Sequence, residues 1–478
     1  MLWLYILLAI IFAFILLIIF RALMFKPYTQ AFYPTEDYEL DLDGILERFS
    51  QILQCKTISN RDVSLVDLKE FEKAQALIRK FYPNIFKVCD FEKVLDTGLL
   101  FRWPGKDPNN PIVLMSHYDV VPVDEEQWKE PPFSGLIKDG EIWGRGTLDT
   151  KGTFVSILEA TEYMIKSGFK PENDIYLSFA GDEEVAGPTC PAIVEVFRER
   201  NLVPQMVLDE GGAVVDRVFP GVNKPCALVG IAEKGITDIK MSITSKGGHA
   251  SAPPPSTSLG DLCKAVVKIQ NKPFKFVMSP ATKQMFDILG RHSSFVYRII
   301  FANMWAFSFL IDLMAKKSGG EMNALLRTTM AFTMAKGSDS PNVMPSSAYV
   351  IANLRLMREN PYDQAIEHMK KAANDDNITF EAIHASNASI YSDTSSKAWD
   401  MIQKAIGQTW PSAITSPYLM FAASDSRHFC KITDKVYKFS AMHMTSEERS
   451  YIHGHNERIK IEDLDKMVKF FIRIISQS

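Results

Sequence analysis

Two short apolar runs, each ending in acidic or imidazole side chains, restrict this chain more than any other feature. Pro111 to Ser116 (PIVLMS) and Asp174 to Ala180 (DIYLSFA) have the length and apolar character of strands buried on both faces of a parallel sheet. His117 and Asp119 follow the first, in SHYDVVP; Asp182, Glu183 and Glu184 follow the second, in FAGDEEVAG. Ligands bind at the carboxyl ends of strands in an open α/β sheet. Carboxylates converging there repel by roughly 1 to 4 kcal/mol per pair at about 4 Å unless a cation joins them, so a metal site is the first expectation.

Other residues repeat this pattern. Asp149 lies in GRGTLDTKG, where glycines permit a tight backbone approach; taken alone, it also reads as a cap for the following helix. In HYD, i and i+2 point the same way, which lets Asp119 receive the spare N–H of His117. Adjacent Glu183 and Glu184 diverge in an extended or turn geometry, so that one can bind metal while the other faces a water. Alone, such a run reads as a solvated face. Asp209 in VLDEGG and His453 in YIHGHNERI also sit at the ends of apolar segments.

At 478 residues, with 46% hydrophobic and 23% charged residues, the chain is globular and long enough for several domains. Its net charge of −4 gives no basic face for nucleic acid. Six scattered cysteines without a CxxC form neither a disulfide scaffold nor a thiolate zinc site, and read as small buried hydrophobes in a reducing compartment.

Leu2 to Phe20 is an unbroken apolar run that would span roughly 28 Å as a helix, about the thickness of a bilayer core. Its start lacks a basic region and no A-x-A cleavage pattern follows, so it reads as an uncleaved single-pass anchor rather than a signal peptide. Arg21 and Lys26 on the downstream flank point the large domain toward the cytoplasm. Glu36, Asp37, Glu39, Asp41 and Asp43 then read as a solvated acidic spacer.

LDGILERFSQIL and DLKEFEKAQALIRKFY are amphipathic packing helices, and TFVSILEATEYMIK predicts a helix with Phe154, Leu158, Thr161 and Ile165 along one face. Beyond Glu233 the pattern becomes β-α-β-β-α-β: ITDIKMSITSK, LGDLCKAVVKIQ, NALLRTTMAFTMA, SSAYVIANLRLM, PYDQAIEHMKKAAN and NITFEAIHA. That is the order of a small ferredoxin-like domain. The apolar segment Ser293 to Ala315, interrupted by Arg298, Asn303 and Asp312, reads as a buried or interface helix, with a membrane-touching helix as the alternative.

SHYDVVP, RGTLDTKG, DEEVAG, SKGGHASAPP, PNVMP, SDSR and IHGHNE occur together and in order. In this the chain resembles the zinc exopeptidase family of glutamate carboxypeptidase, acetylornithine deacetylase and succinyl-diaminopimelate desuccinylase. EKG at Glu233 to Gly235, NALLRTTMA and the anchor-like N-terminus resemble its carboxypeptidase S and N-fatty-acyl-amino-acid hydrolase branch.

The resemblance implies two zinc ions, with manganese or cobalt suiting the same donors. Asp149 would bridge them, His117 and Asp209 completing one site and Glu184 and His453 the other. His453 is chosen over His455 because the family ligand stands three residues before Asn456. Asp119 would orient His117, Glu183 would be the general base, and His249 would supply an oxyanion donor, from the other subunit in dimeric relatives. Arg427 would bind the substrate carboxylate, although Ala422 and Ala423 replace the two family glycines beside it, and Arg355 and Asn342 would be the lid's contributions to substrate binding, with a strand-surface position as the alternative for either.

The implied fold is α/β: a mixed-sheet dizinc exopeptidase catalytic domain, an inserted α+β ferredoxin-like lid and an N-terminal transmembrane helix. The expected divisions are 1–25 (transmembrane anchor), 26–42 (acidic linker), 43–235 and 389–478 (catalytic domain), and 236–388 (lid or dimerisation domain). The implied activity is hydrolysis of an amide next to a free carboxylate, in a peptide or an N-acyl amino acid, with a homodimer as one arrangement. The alternative is a catalytically inactive, membrane-tethered binding protein on the same fold. The presence of every expected ligand and of Glu183 argues against it.

Overall fold

Strand register explains why the acidic residues gather. The computed structural model describes every residue except Thr29, Gln30, Phe32 and Glu36, together with the side chain of Ser318. Its large sheet runs Asp90–Val94, Gly98–Trp103, Asn173–Ala180, Asp107–His117, Met206–Val215, Val436–Met444, Cys226–Glu233 and Ile414–Met420. The sheet is mixed, but its centre is parallel: Asp107–His117 pairs in parallel with both Asn173–Ala180 and Met206–Val215. His117 stands opposite Ala180 and Leu114 opposite Leu208. Continuing that register brings Asp209 and Glu210 opposite Met115 and Ser116, two and one positions short of His117, at the carboxyl edge.

One face of the sheet is covered by helices Leu42–Leu53, Leu68–Phe81, Lys151–Lys166, Lys397–Thr409 and Ile461–Ile475, and the other by Thr189–Glu199. Lys151–Lys166 departs from the expected one-sided stripe, because every residue from Lys151 to Glu162 is buried. Packed between the sheet and Ile461–Ile475, this helix has no solvent face before its last turn. Its charged residues are paired: Glu159 accepts two bonds from Arg48, at 2.6 and 2.9 Å, and one from the Tyr82 hydroxyl at 2.9 Å. Such pairing is what makes burial of a carboxylate tolerable.

The acidic spacer is partly structural. Asp41 caps Leu42–Leu53 by accepting the Gly44 N–H at 3.1 Å, and Asp37 pairs with Lys469 at 2.9 Å; Glu36 lies outside the described residues. Four of the six cysteines are buried, Cys430 is half-buried and Cys263 is exposed; all are free.

A second sheet, antiparallel, runs Thr329–Lys336, Ser347–Leu356, Gly235–Thr244 and Thr379–Ser386. With helices Ser258–Gln270 and Tyr362–Ala373 it follows a βαββαβ order around its own core of Ile239, Met241, Leu262, Leu354 and Met369. Residues 236–388 are nevertheless not one unit. Helices Pro280–His292, Phe295–Phe301, Met304–Ser318 and Gly320–Leu326 leave this sheet, and Met285, Phe286, Leu289, Phe301 and Leu325 join the large core. Pro280–His292 covers the edge strand Ile414–Met420, which would otherwise be open to pairing. The segment read as a strand from Asn323 onward is thus helical through Leu326, and its strand begins at Thr329.

The N-terminal helix Leu2–Met24 is apolar, long enough to cross a membrane, and buried only at Ile18 and Ala22. Its C-terminal end docks on the helical excursion. Arg21 donates to the Ala302 carbonyl at 3.2 and 3.0 Å and to Asn303 Oδ1 at 3.1 Å, while Asn303 Nδ2 donates to the Ile18 carbonyl at 3.1 Å. Phe14 meets Trp305 edge to face at 5.8 Å. The apolar segment near Trp305 is not one helix but two, bent by 104° between Phe301 and Met304. They leave Val296, Trp305, Phe309 and Leu313 exposed.

Candidate active site

Asp149 stands between two histidines. Its Oδ1 lies 3.0 Å from His117 Nε2 and its Oδ2 3.1 Å from His453 Nε2. It follows a glycine-rich turn and does not cap the next helix, whose first flanking residue is Thr150. Each histidine meets a further carboxylate: Glu210 Oε1 at 3.3 Å from His117 Nε2, and Glu184 Oε2 at 3.0 Å from His453 Nε2. His117, Asp149 and Glu184 form one group of mutually close donor atoms, and His117, Glu183 and Glu210 another, each within 4.8 Å.

Asp119 is fully buried and ties the two strand ends together. Its Oδ1 lies 3.2 Å from His117 Nδ1, and its carboxylate accepts the N–H groups of Glu183 and Glu184 at 3.2 and 3.1 Å. One residue thereby holds both an imidazole and the acidic turn.

The expected ligand Asp209 faces elsewhere. Its carboxylate accepts the Ser426 N–H at 3.0 Å, and Glu210 fills the place beside His117. Neighbouring residues on a strand point to opposite faces, so only one of the two can reach the cluster. Glu210 was visible in the sequence as the second acid of VLDEGG.

Sequence reasoning also passed over Glu457, which is completely buried. It accepts the N–H groups of Leu148 and Asp149 at 2.7 and 3.1 Å and of Gly146 at 3.0 Å, and pairs with Arg145 Nη1 at 2.8 Å. The signal was the Glu that follows Asn456.

Burial raises the pKa of Glu183, Glu184 and Glu210, the last to about 8, with the charge of Asp149 adding to Glu210's shift. Burial works against a charged His117, yet Glu210, Asp119 and Asp149 hold its pKa well above the usual value. Hydrogen bonds to Asp149 and Glu184 lift His453 to about 10. The cluster is an excess of buried negative charge that attracts cations.

The residues fit a pair of divalent ions. Two imidazoles and several carboxylates are a donor set for zinc, manganese or cobalt, and buried Glu184 Oε1 has no hydrogen-bond partner among the described residues.

A cleft of about 1050 Å³ opens over this cluster and is lined by Glu183, Glu184, His453, Arg355, Arg427 and Lys234, among others. Arg427 Nη1 donates to the Ser424 carbonyl at 3.2 Å and Arg355 Nη1 to the Phe421 carbonyl at 3.4 Å, leaving other guanidinium donors for a ligand. His249 and Asn342 are not brought to the cleft. They meet at an exposed tip of the four-stranded unit, where Gly248 and His249 pair with Met344 and Val343 and the Ala250 N–H reaches the Asn342 carbonyl at 3.0 Å.

The fold and these paired histidine and carboxylate groups define a metal-dependent hydrolase. The chain belongs to the peptidase family M20/M25/M40, whose sequence profile matches residues 113–477. It is 33% identical over 462 residues to the probable carboxypeptidase S-like 2 of Dictyostelium discoideum, covering 94% of this chain and 87% of that protein. It is 32% identical over 452 residues to the N-fatty-acyl-amino acid synthase/hydrolase PM20D1 of Xenopus tropicalis, covering 93% and 88%. Its fold is similar to that of the M20 family metallo-carboxypeptidase Sso-CP2 from Sulfolobus solfataricus, with a TM-score of 0.65 at 18% identity and coverage of 90% and 98%.

Proposed function

We propose that this chain is a dizinc hydrolase that cleaves an amide bond adjacent to a free carboxylate, as a carboxypeptidase or an N-acyl-amino-acid hydrolase. The observation that carries this reading is the division of Asp149, one oxygen toward His117 and the other toward His453. His117, Asp149 and Glu210 would hold one ion, with Glu210 taking the place expected of Asp209. His453, Asp149 and Glu184 would hold the other. When bound, such ions lower the pKa of water and polarise a carbonyl.

Glu183 lies within the same donor group and points into the cleft, placed to take a proton from the attacking water and return it to the leaving nitrogen. Asp119 fixes the His117 ring by the contact at its Nδ1. Arg427 and Arg355, across the same cleft, receive the substrate carboxylate. His249 and Asn342 join the reaction by closure of the four-stranded unit as a lid, or from a second copy of the chain. Leu2–Met24 anchors the protein in a membrane, and Arg21 and Lys26 on its downstream flank favour a cytoplasmic hydrolase domain.

The test is to assay the zinc-loaded chain against dipeptides, N-acyl amino acids and the same compounds with the carboxylate amidated. Hydrolysis confined to the free acids is expected. Loss of the carboxylate without effect, or no turnover of any member, would refute the reading.

A further inference from the structure

The apolar helix Leu2–Met24 is clamped to the helical excursion at two levels. Within the helix, the Ile18 carbonyl accepts from fully buried Asn303, and Arg21 donates back to Asn303 Oδ1 and to the Ala302 carbonyl. Just past its end, the Arg291 guanidinium lies over the Phe25 and Tyr28 rings at 4.4 and 4.0 Å and donates to the Lys26 carbonyl at 3.1 Å. Arg291 and the Tyr28 hydroxyl both donate to Asp287. The stretch from Ile18 to Tyr28 is thus fastened to the folded domain and is no loose tether.

This clamp fixes what accompanies the helix into a lipid phase. Phe14, whose ring meets Trp305 edge to face, stands about two turns before Arg21, roughly 10 Å along the helix axis. With Arg21 at the headgroups, Trp305 is carried to the depth at which interfacial helices bury their apolar faces, about 5 to 10 Å. Trp305, Phe309 and Leu313 recur at four-residue spacing along Met304–Ser318 and are 58%, 70% and 60% exposed. Val296 and Met314 are exposed as well.

Charge does not interrupt this row. Asp312 is half-buried and paired with Arg327 and Lys316, while Lys316 and Lys317 stand in the last turn of the helix. Fifteen residues reach only about 22 Å, short of a bilayer core of about 30 Å, so Met304–Ser318 fits along a leaflet and not across one. A second copy of the chain could also cover an apolar row, but the fixed place of this one beside a helix of membrane length favours lipid.

We propose that the bent pair Phe295–Phe301 and Met304–Ser318 is a second membrane contact, with Trp305, Phe309 and Leu313 seated in the hydrocarbon of the leaflet beside the anchor and Lys316 and Lys317 at its headgroups. The proposal rests on reading Leu2–Met24 as a membrane anchor. Met285, Phe286, Leu289 and Phe301 of the same excursion belong to the large core, so this contact holds the hydrolase domain against the bilayer at a fixed attitude.

The test places the full-length chain, one copy per disc, in phosphatidylcholine nanodiscs containing a phosphatidylcholine with a mid-chain diazirine, and maps cross-linked lipid by peptide mass. Label on both 2–20 and 304–317 is expected. Label on 2–20 without 304–317 overturns the proposal and leaves the anchor standing; absence of label from 2–20 overturns the anchor reading and the proposal with it. Phe309→Asp and Leu313→Asp replace exposed side chains and leave the core intact. Each should lower labelling of 304–317 by roughly tenfold while 2–20 keeps its label. Undiminished labelling in both variants overturns the proposal. So does a chain that enters discs only in pairs, with 304–317 cross-linked to the other copy and not to lipid, since that assigns the row to self-association.

Discussion

Glu457 holds Asp149 in place, accepting its backbone N–H at 3.1 Å from a position four residues beyond His453. The same carboxylate grips Arg145, whose other nitrogen returns to the Gly454 carbonyl at 2.7 Å. The loop bearing the shared carboxylate and the loop bearing His453 are therefore one braced assembly. Glu457→Ala leaves Arg145 buried without its ion-pair partner and should cost about 3 to 5 kcal/mol. Denaturant unfolding together with metal analysis checks this: lower stability and reduced metal content are expected, and unchanged values of both would show that the brace is dispensable.

Glu183→Gln should retain about two metal ions per chain while amide hydrolysis falls by roughly 10² to 10⁴. The substitution keeps side-chain volume and removes only the basic oxygen. Full activity in this variant would move the base elsewhere.

Glu210 and Asp209 are separable by metal stoichiometry. Glu210→Gln should lose the ion shared with His117, and His453→Ala the one shared with Glu184, whereas Asp209→Asn should keep both because its carboxylate is engaged with Ser426. Loss of metal from Asp209→Asn with retention in Glu210→Gln would reverse the assignment.

Arg427→Ala and Arg355→Ala should raise KM for carboxylate-bearing substrates and leave kcat nearly unchanged, the pattern of lost uniform binding. Steady-state kinetics on free-acid substrates decides this; an unaltered KM in both variants would place the carboxylate outside the cleft.

Lys234 supplies a pH signature. Burial, aided by the charge of Arg355, brings its pKa down to about 7, and its amine donates to the Ala324 and Arg327 carbonyls at 3.0 and 2.8 Å. Between about pH 7 and pH 10 the unfolded chain binds more protons at this site than the folded one, so its contribution to stability rises with pH. Lys234→Met should flatten that rise in unfolding curves measured across the window. An identical slope in the variant would contradict the burial argument.

Much of this was legible because it is local. SHYDVVP and FAGDEEVAG announced strand ends bearing acids through apolar runs of strand length, and Leu42–Leu53 was marked by its amphipathic spacing, although its capping Asp41 had read as part of a solvated spacer. The bend between Phe301 and Met304 was not marked in this way, because the segment is apolar throughout and composition does not say where such a helix breaks.

The sequence by itself determined which residue types reach the carboxyl edge of the sheet: imidazoles and carboxylates following buried strands, enough to call for metal. Only the tertiary structure decided which of them face one another. Asp209 and Glu210 are adjacent and both acidic, and the strand's rotation against Asp107–His117 selects Glu210, since consecutive side chains leave a strand on opposite faces. Glu457 gained its place in the same way, because it is a loop residue until a buried arginine and the backbone around Asp149 close on it.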